Sequence, residues 1–166
     1  SFHAGEAEAD YLSWLLEALS EYDVAVEVRH RGWFTSEAGG DLAARLAASG
    51  ATLVAADSPE GKMSSEAISG KAEMTSELVY FRFHGRNAAA WWHHAAAEDR
   101  YDYLYSPAEL RPYADAMRNA SAAGRRVFAF MNNHFSAKAV ASAAVLRSQL
   151  GQALPGDYEP ELVRRY

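Results

Sequence analysis

Apolar residues recur along the chain with two alternating periods. Tyr11, Leu12, Leu15, Leu16 and Leu19 fall three and four apart, which predicts a helix carrying them on one face. After Asp23 comes the β-branched run Val24-Ala25-Val26-Glu27-Val28-Arg29, a predicted strand. Gly39-Gly40 is expected to break the chain, with Asp41 as N-cap of a helix that carries Leu42 and Leu46 and stops at Gly50. A second strand covers 51–56 and ends at Asp57. From Ser58 to Ser76 the chain is polar and punctuated by Pro59, Gly61 and Gly70, an excursion or lid loop.

The third strand is Leu78-Val79-Tyr80-Phe81-Arg82-Phe83-His84, followed by a long aromatic-rich connection from Gly85 to Tyr105. Ser106-Pro107-Ala108-Glu109 then supplies an N-cap, a first-turn proline and a capping-box glutamate. Leu110, Tyr113, Ala114 and Met117 keep helical spacing until Gly124. Val127 to Met131 is the fourth strand. Ser136 is expected to cap a last helix with Val140, Ala143 and Leu150 on its buried side, closed by Gly151. Four strands, each followed by a helix or a helix-length connection, predict parallel βα units in an α/β fold.

Parity along the strands separates two faces. Val24, Val26 and Val28 oppose Glu27 and Arg29; Val79, Phe81 and Phe83 oppose Tyr80, Arg82 and His84. Val127, Ala129 and Met131 oppose Phe128, Phe130 and Asn132, while Asp57 shares parity with Leu53 and Ala55. One face is apolar, as expected under helices, and the other turns polar toward the C-terminal strand ends, where parallel α/β folds bind ligands. Glu27, Arg29, Asp57, Arg82, His84, Asn132 and His134 are therefore expected to converge on one mouth. The bland alternative is an ion-pair network, Glu27 with Arg29 or Asp57 with Arg82, because an unpartnered buried charge is costly. For Asn133, turn or capping duty is the competing account.

The charge balance of 16 basic against 22 acidic residues, net −6, argues against a surface that coats nucleic acid, though not against a local basic groove. Cysteine is absent, which excludes disulfides and thiolate chemistry. No apolar run reaches the ~18 residues of a membrane span. The chain opens at Ser1 without an initiator Met or a signal-peptide pattern.

Val26-Glu27-Val28-Arg29-His30-Arg31-Gly32-Trp33-Phe34 resembles the VEFRHRSWF-type segment of the YecE-like family, domain-of-unknown-function family 72. Tyr80-Phe81-Arg82-Phe83-His84-Gly85-Arg86-Asn87 is similar to its YVRFHGRN segment, and Arg100-Tyr101-Asp102-Tyr103-Leu104-Tyr105-Ser106 with Glu109-Leu110 to its RYDYLYS…EL motif. Asn132-Asn133-His134 with Ala139 matches its NNH segment, and Asp57 with Pro59 resembles an aspartate-proline element with Ser58 inserted. Val28 in place of an aromatic, Gly32 in place of Ser, and the enriched Trp91-Trp92-His93-His94 are local departures.

The resemblance implies a TIM-type (β/α) barrel in the cytoplasm, with these four strands at positions five to eight. Residues 1–151 are then expected to be the C-terminal half of one barrel domain, with 152–166 a C-terminal extension, since such barrels take ~250 residues. A half-barrel exposes strand edges and a polar interior, so this polypeptide alone is expected to be aggregation-prone or poorly cooperative.

The mouth supports an enzyme acting on a phosphorylated or other small anionic substrate, by hydrolysis or proton transfer. Glu27, His84 and Asp57 are the catalytic candidates. Arg29, His30, Arg82, Arg86, Asn87, Asn132, Asn133 and His134 are the anion- or substrate-binding candidates, with Arg82 and Arg86 as the clamp and Asn132 as an orienting residue. A divalent metal on Glu27, Asp57, His84 and His134 is the weaker reading, because Arg29 and Arg82 oppose a cation there. The competing class is a binding module in which Arg31, Arg86, Trp91, Trp92 and Arg100 clasp nucleic acid or a protein. His93-His94 reads as a solvated pair, and the two tryptophans as a loop anchor.

Overall fold

The computed structural model describes residues 2–34, 36–59, 75–92 and 97–154. Its elements run α1 (Glu6–Ala18), β1 (Ala25–Val26), α2 (Ser36–Ala48), β2 (Thr52–Asp57), β3 (Leu78–Phe83), α3 (Ala88–Trp92), α4 (Pro107–Ala122), β4 (Arg126–Met131) and α5 (Lys138–Gln149). Single 3₁₀ turns lie at Arg31–Phe34, Ala97–Tyr101 and Phe135–Ala137. The four strands form one sheet in chain order, every neighbour parallel, as the βα alternation predicts. Most of the expected excursion, His93-His94 and most of the C-terminal extension lie outside the described residues.

Parity carries over into packing. Phe81 and Phe83 of β3 are buried against Leu110, Tyr113 and Met117 of α4 and Val145 and Leu146 of α5, and Val127 and Met131 pack on the same cluster. A second cluster joins Leu12 and Leu16 of α1 to Leu42 and Leu46 of α2, with Val24, Val26 and Val28 against it. The opposite face of β3 and β4 is open: Phe128 is 46% and Phe130 49% exposed. Phe130 stacks on Tyr80 at 4.9 Å. α4 begins in the predicted capping box, Ser106 accepting from the Glu109 N–H while the Glu109 carboxylate accepts from the Ser106 N–H.

Five local expectations are corrected. Gly39-Gly40 does not break the chain: α2 starts at Ser36, and Asp41 lies inside it. Two helical glycines cost about 2 kcal/mol, which complete burial of Leu42 and Leu46 offsets. β1 pairs only at Ala25 and Val26, and Glu27–Arg29 run past the ladder at this sheet edge.

Ser136 does not cap α5; it and Ala137 are both left-handed (φ 50° and 61°), and the helix starts at Lys138 without a side-chain cap. The buried face of α5 is Ser142, Val145 and Leu146, with Val140 exposed. Asn133 fixes that face through its hydrogen bond to Ser142 Oγ, and Val140 lies about 200° around the helix from Ser142. In α1, Tyr11 is likewise exposed while Leu12 and Leu16 are buried.

Candidate functional site

Strand register sets the site. On the open face Tyr80 lies opposite Phe128 and Arg82 opposite Phe130. One step beyond the ladder, Asn132 Nδ2 stands 3.0 Å from His84 Nδ1. The face thus grades from aromatic to charged to polar toward the C-terminal strand ends. Glu27, just past β1, reaches across to this end. Its Oε1 accepts from Arg29 Nε at 2.8 Å and from His84 Nε2 at 3.0 Å, and its Oε2 from Arg82 Nη1 at 2.9 Å.

Burial of Glu27 on its own would raise its pKa, but hydrogen bonds from His84, Arg29 and Arg82 outweigh that and bring it down to about 2. The carboxylate is therefore ionised throughout the neutral range. His84 is buried, with Nε2 3.0 Å from Glu27 Oε1 and Nδ1 3.0 Å from Asn132 Nδ2, so both ring nitrogens are engaged. The arginine side chains are more open, Arg29 at 56% and Arg82 at 36%, against 12% for Glu27. Among the described residues, two guanidiniums against one carboxylate leave a positive charge in excess at the strand ends.

Asp57 does not join this group. Its parity with Leu53 and Ala55 turns it toward the helices, where it is buried. There Arg86 Nε lies 3.1 and 2.9 Å from its two oxygens. Arg86 also reaches Glu109 Oε1 at 3.3 Å and Tyr113 Oη at 3.5 Å. Burial would lower the Arg86 pKa, but Asp57 and the Tyr113 hydroxyl raise it overall.

The Tyr105 hydroxyl accepts the Gly85 N–H at 2.9 Å, and burial, then Asp57, pushes its pKa strongly upward. Tyr103 hydrogen-bonds Glu109; its burial and that bond push its pKa up to about 12. Glu109 moves down, because hydrogen bonds from Tyr103 and Ser106 outweigh its own desolvation.

The expected single mouth is therefore two groups on opposite faces of the sheet. The alternative pairing of Asp57 with Arg82 is corrected in the same way: Arg82 points to the open face and pairs with Glu27, and Asp57 points under the helices and pairs with Arg86. Asn87 and Asn133 hold loops. Asn87 Nδ2 donates to Asp99 O and Asp102 O, and Asn133 Nδ2 to Tyr103 O and Ser142 Oγ.

His30 accepts from the Gly32 N–H and packs edge-on to His3 at 4.3 Å. His134 is exposed at the strand end, 5.2 Å from the Tyr101 ring. In the sequence, Glu109 reads as a capping-box residue and Tyr113 as part of the helix's apolar face, neither as part of an Arg86 network, and Tyr101, Tyr103 and Tyr105 carry no assigned role; the alternate-residue tyrosines at 101, 103 and 105 are the available signal. Among the described residues, no three of His, Cys, Asp and Glu gather so as to hold a metal ion. No helix there is long and apolar enough to cross a membrane.

A parallel sheet fed by βα units, with polar side chains collected at its C-terminal end, defines an α/β protein. The family model described as "Protein of unknown function DUF72" matches residues 1–163, and the chain belongs to that family, of which YecE-like is another name. UPF0759 protein YunF of Bacillus subtilis (strain 168) is 25% identical over 138 residues, 80% of this chain and 48% of that protein. A DUF72 family protein of Thermotoga maritima MSB8 matches with TM-score 0.75 and 30% identity over 92% of this chain and 55% of that one. A DUF72 family protein of Enterococcus faecalis V583 shares the fold, with TM-score 0.77 and 21% identity over 96% of this chain and 60% of that one. The chain thus spans about half the length of these relatives.

Proposed function

We propose that this chain supplies strands five to eight of a TIM-type barrel, over residues 1–151, and that the Glu27 group binds a small anionic ligand at the barrel's mouth. The barrel reading is supported by the parallel chain-order sheet, by helices on one face only among the described residues, and by the opposite aromatic face of Tyr80, Phe128 and Phe130, the two phenylalanines exposed. In a barrel that face is interior and meets the remaining strands.

The anion reading rests on one observation: Glu27 neutralises one of two guanidiniums, so Arg29 and Arg82 keep an unbalanced charge and part of their surface open. The chemistry this supports is acid–base transfer on a phosphate ester or similar anion. Arg29 and Arg82 hold the anion, and Glu27 reaches the ligand. His84, behind Glu27 with both nitrogens engaged, orients that carboxylate through their 3.0 Å contact, and the proton passes between the ligand and the Glu27 carboxylate itself. Asn132 keeps the ring in place. Arg86, taken up by Asp57, Glu109 and Tyr113, holds the helix side instead.

Inorganic phosphate titrated into the full chain, followed as thermal stabilisation, tests the reading. Saturable stabilisation that disappears in Arg29→Ala/Arg82→Ala is expected. An equal shift in that variant, or none in the wild type, overturns it.

A further inference from the structure

The loop after α3 brings a second group of side chains to the same strand ends, and none of them is needed to hold an anion. The Tyr101 ring centre lies 6.4 Å from that of His84, 5.2 Å from that of His134 and 6.2 Å from that of Trp91. The Arg100 guanidinium sits 5.9 Å from the Tyr101 ring centre. His84 is the shared member: one side of it leads to Glu27 and the arginines, the other to these rings.

This ledge is built to stay put. Asn87 clamps its turn by donating to the carbonyls of Asp99 and Asp102, and Lys138 pairs with Asp102. Asn133, fully buried, ties down the carbonyl of Tyr103 two residues on. Three side chains from outside the loop thus hold the segment on either side of Tyr101. His134 then stands exposed beside it, one residue after Asn133. A ring flanked by rings, with a guanidinium at hand, accepts a flat π-system by offset or edge contact.

We infer that the ligand of this site carries a flat ring next to its anionic group, the anion on Arg29 and Arg82 and the ring on Tyr101 and His134. The inference rests on the anion reading above and adds the substrate class: a phosphate monoester or similar anion of an aromatic or heteroaromatic compound. Asn87 and Asn133 are positioning residues for the ring subsite. Sequence motifs that share no strand, around Asn87, Tyr101 and Asn133, thereby serve one surface.

Phenyl phosphate and inorganic phosphate, titrated separately into the full chain by calorimetry, test it. Phenyl phosphate is expected to bind roughly five- to tenfold more tightly, the size of one aromatic contact. His134→Ala and Tyr101→Ala are each expected to reduce that preference while leaving inorganic phosphate affinity unchanged. His134 is exposed, so its variant keeps the test open if Tyr101→Ala does not fold. Equal affinity for the two ligands, with binding still dependent on Arg29 and Arg82, overturns the ring subsite and leaves the anion site standing. A preference that survives both substitutions also overturns it. If the wild type binds neither ligand, the anion reading falls and the ring subsite with it.

Discussion

Glu27 Oε1 and His84 Nε2 stand 3.0 Å apart although 57 positions separate them in the chain. Their contact joins the edge of β1 to the end of β3 across β2. The same carboxylate takes Arg29 and Arg82, so one side chain fixes the position of three donors. Removing its charge therefore affects stability as well as ligand binding.

The acid limb of stability follows from that carboxylate. Its pKa is about 2 in the folded chain against an ordinary value of 4.5. A lowered carboxylate pKa contributes stability that is fully present above the unfolded value and is lost as the pH falls through the folded one. The window is thus about pH 4.5 down to about 2, and the contribution is up to about 3 kcal/mol. Urea unfolding across this range should show Glu27→Gln weaker than wild type at pH 7 and the two converging toward pH 2. A constant difference across the window would contradict the assignment.

Arg86 and Arg29 should separate by the kind of loss they cause. Arg86→Ala removes the counter-charge of the buried Asp57 carboxylate and is expected to cost about 3 kcal/mol of unfolding free energy. Arg29 is mostly exposed, so Arg29→Ala should cost less than about 1 kcal/mol. Its effect should instead appear in phosphate affinity. Denaturant midpoints and phosphate titrations of the two variants give the comparison.

Gly85 has little room for substitution. Its φ is +91°, and an added Cβ would stand 2.8 Å from Tyr103 Cβ. Its N–H also donates to Tyr105 Oη, which secures the start of the loop after β3. Gly85→Ala should lower unfolding free energy by about 2 kcal/mol or more, combining left-handed strain with the clash. A denaturation curve unchanged from wild type would refute the close approach.

The open face of the sheet makes its own prediction. Phe128 and Phe130 are about half exposed and adjoin Tyr80, an apolar surface that invites self-association. Phe128→Thr/Phe130→Thr keeps strand-forming side chains and should reduce both apolar dye binding and sedimentation as larger species. A wild type that sediments only as a monomer, or sedimentation unchanged in the variant, would contradict it.

Much of this was legible in the sequence. Alternation showed the parallel βα order, Ser106 and Glu109 marked the start of α4, and strand parity separated the helix-facing side from the polar one. Parity also carries the sign that separates Asp57: it aligns with Leu53 and Ala55, and so belongs under the helices with Arg86 and away from Arg82. Which arginine meets which carboxylate depends on register between strands, a tertiary relationship that local spacing does not carry. Gly39-Gly40 and Ser136 mislead for a related reason. Their local preference for a break and a cap yields to the burial of Leu42 and Leu46 and to the packing of α5.

The central claim, that the Glu27–His84 group is the ligand site, is tested most directly by proton NMR of the histidine ring resonances during a phosphate titration. His84→Asn and His134→Asn supply the assignments. The account predicts saturable movement of the His84 resonances, with His134 following and His3 and His30 still, and loss of that movement in Arg82→Ala. Movement confined to other histidines, or undiminished His84 movement in Arg82→Ala, would contradict it.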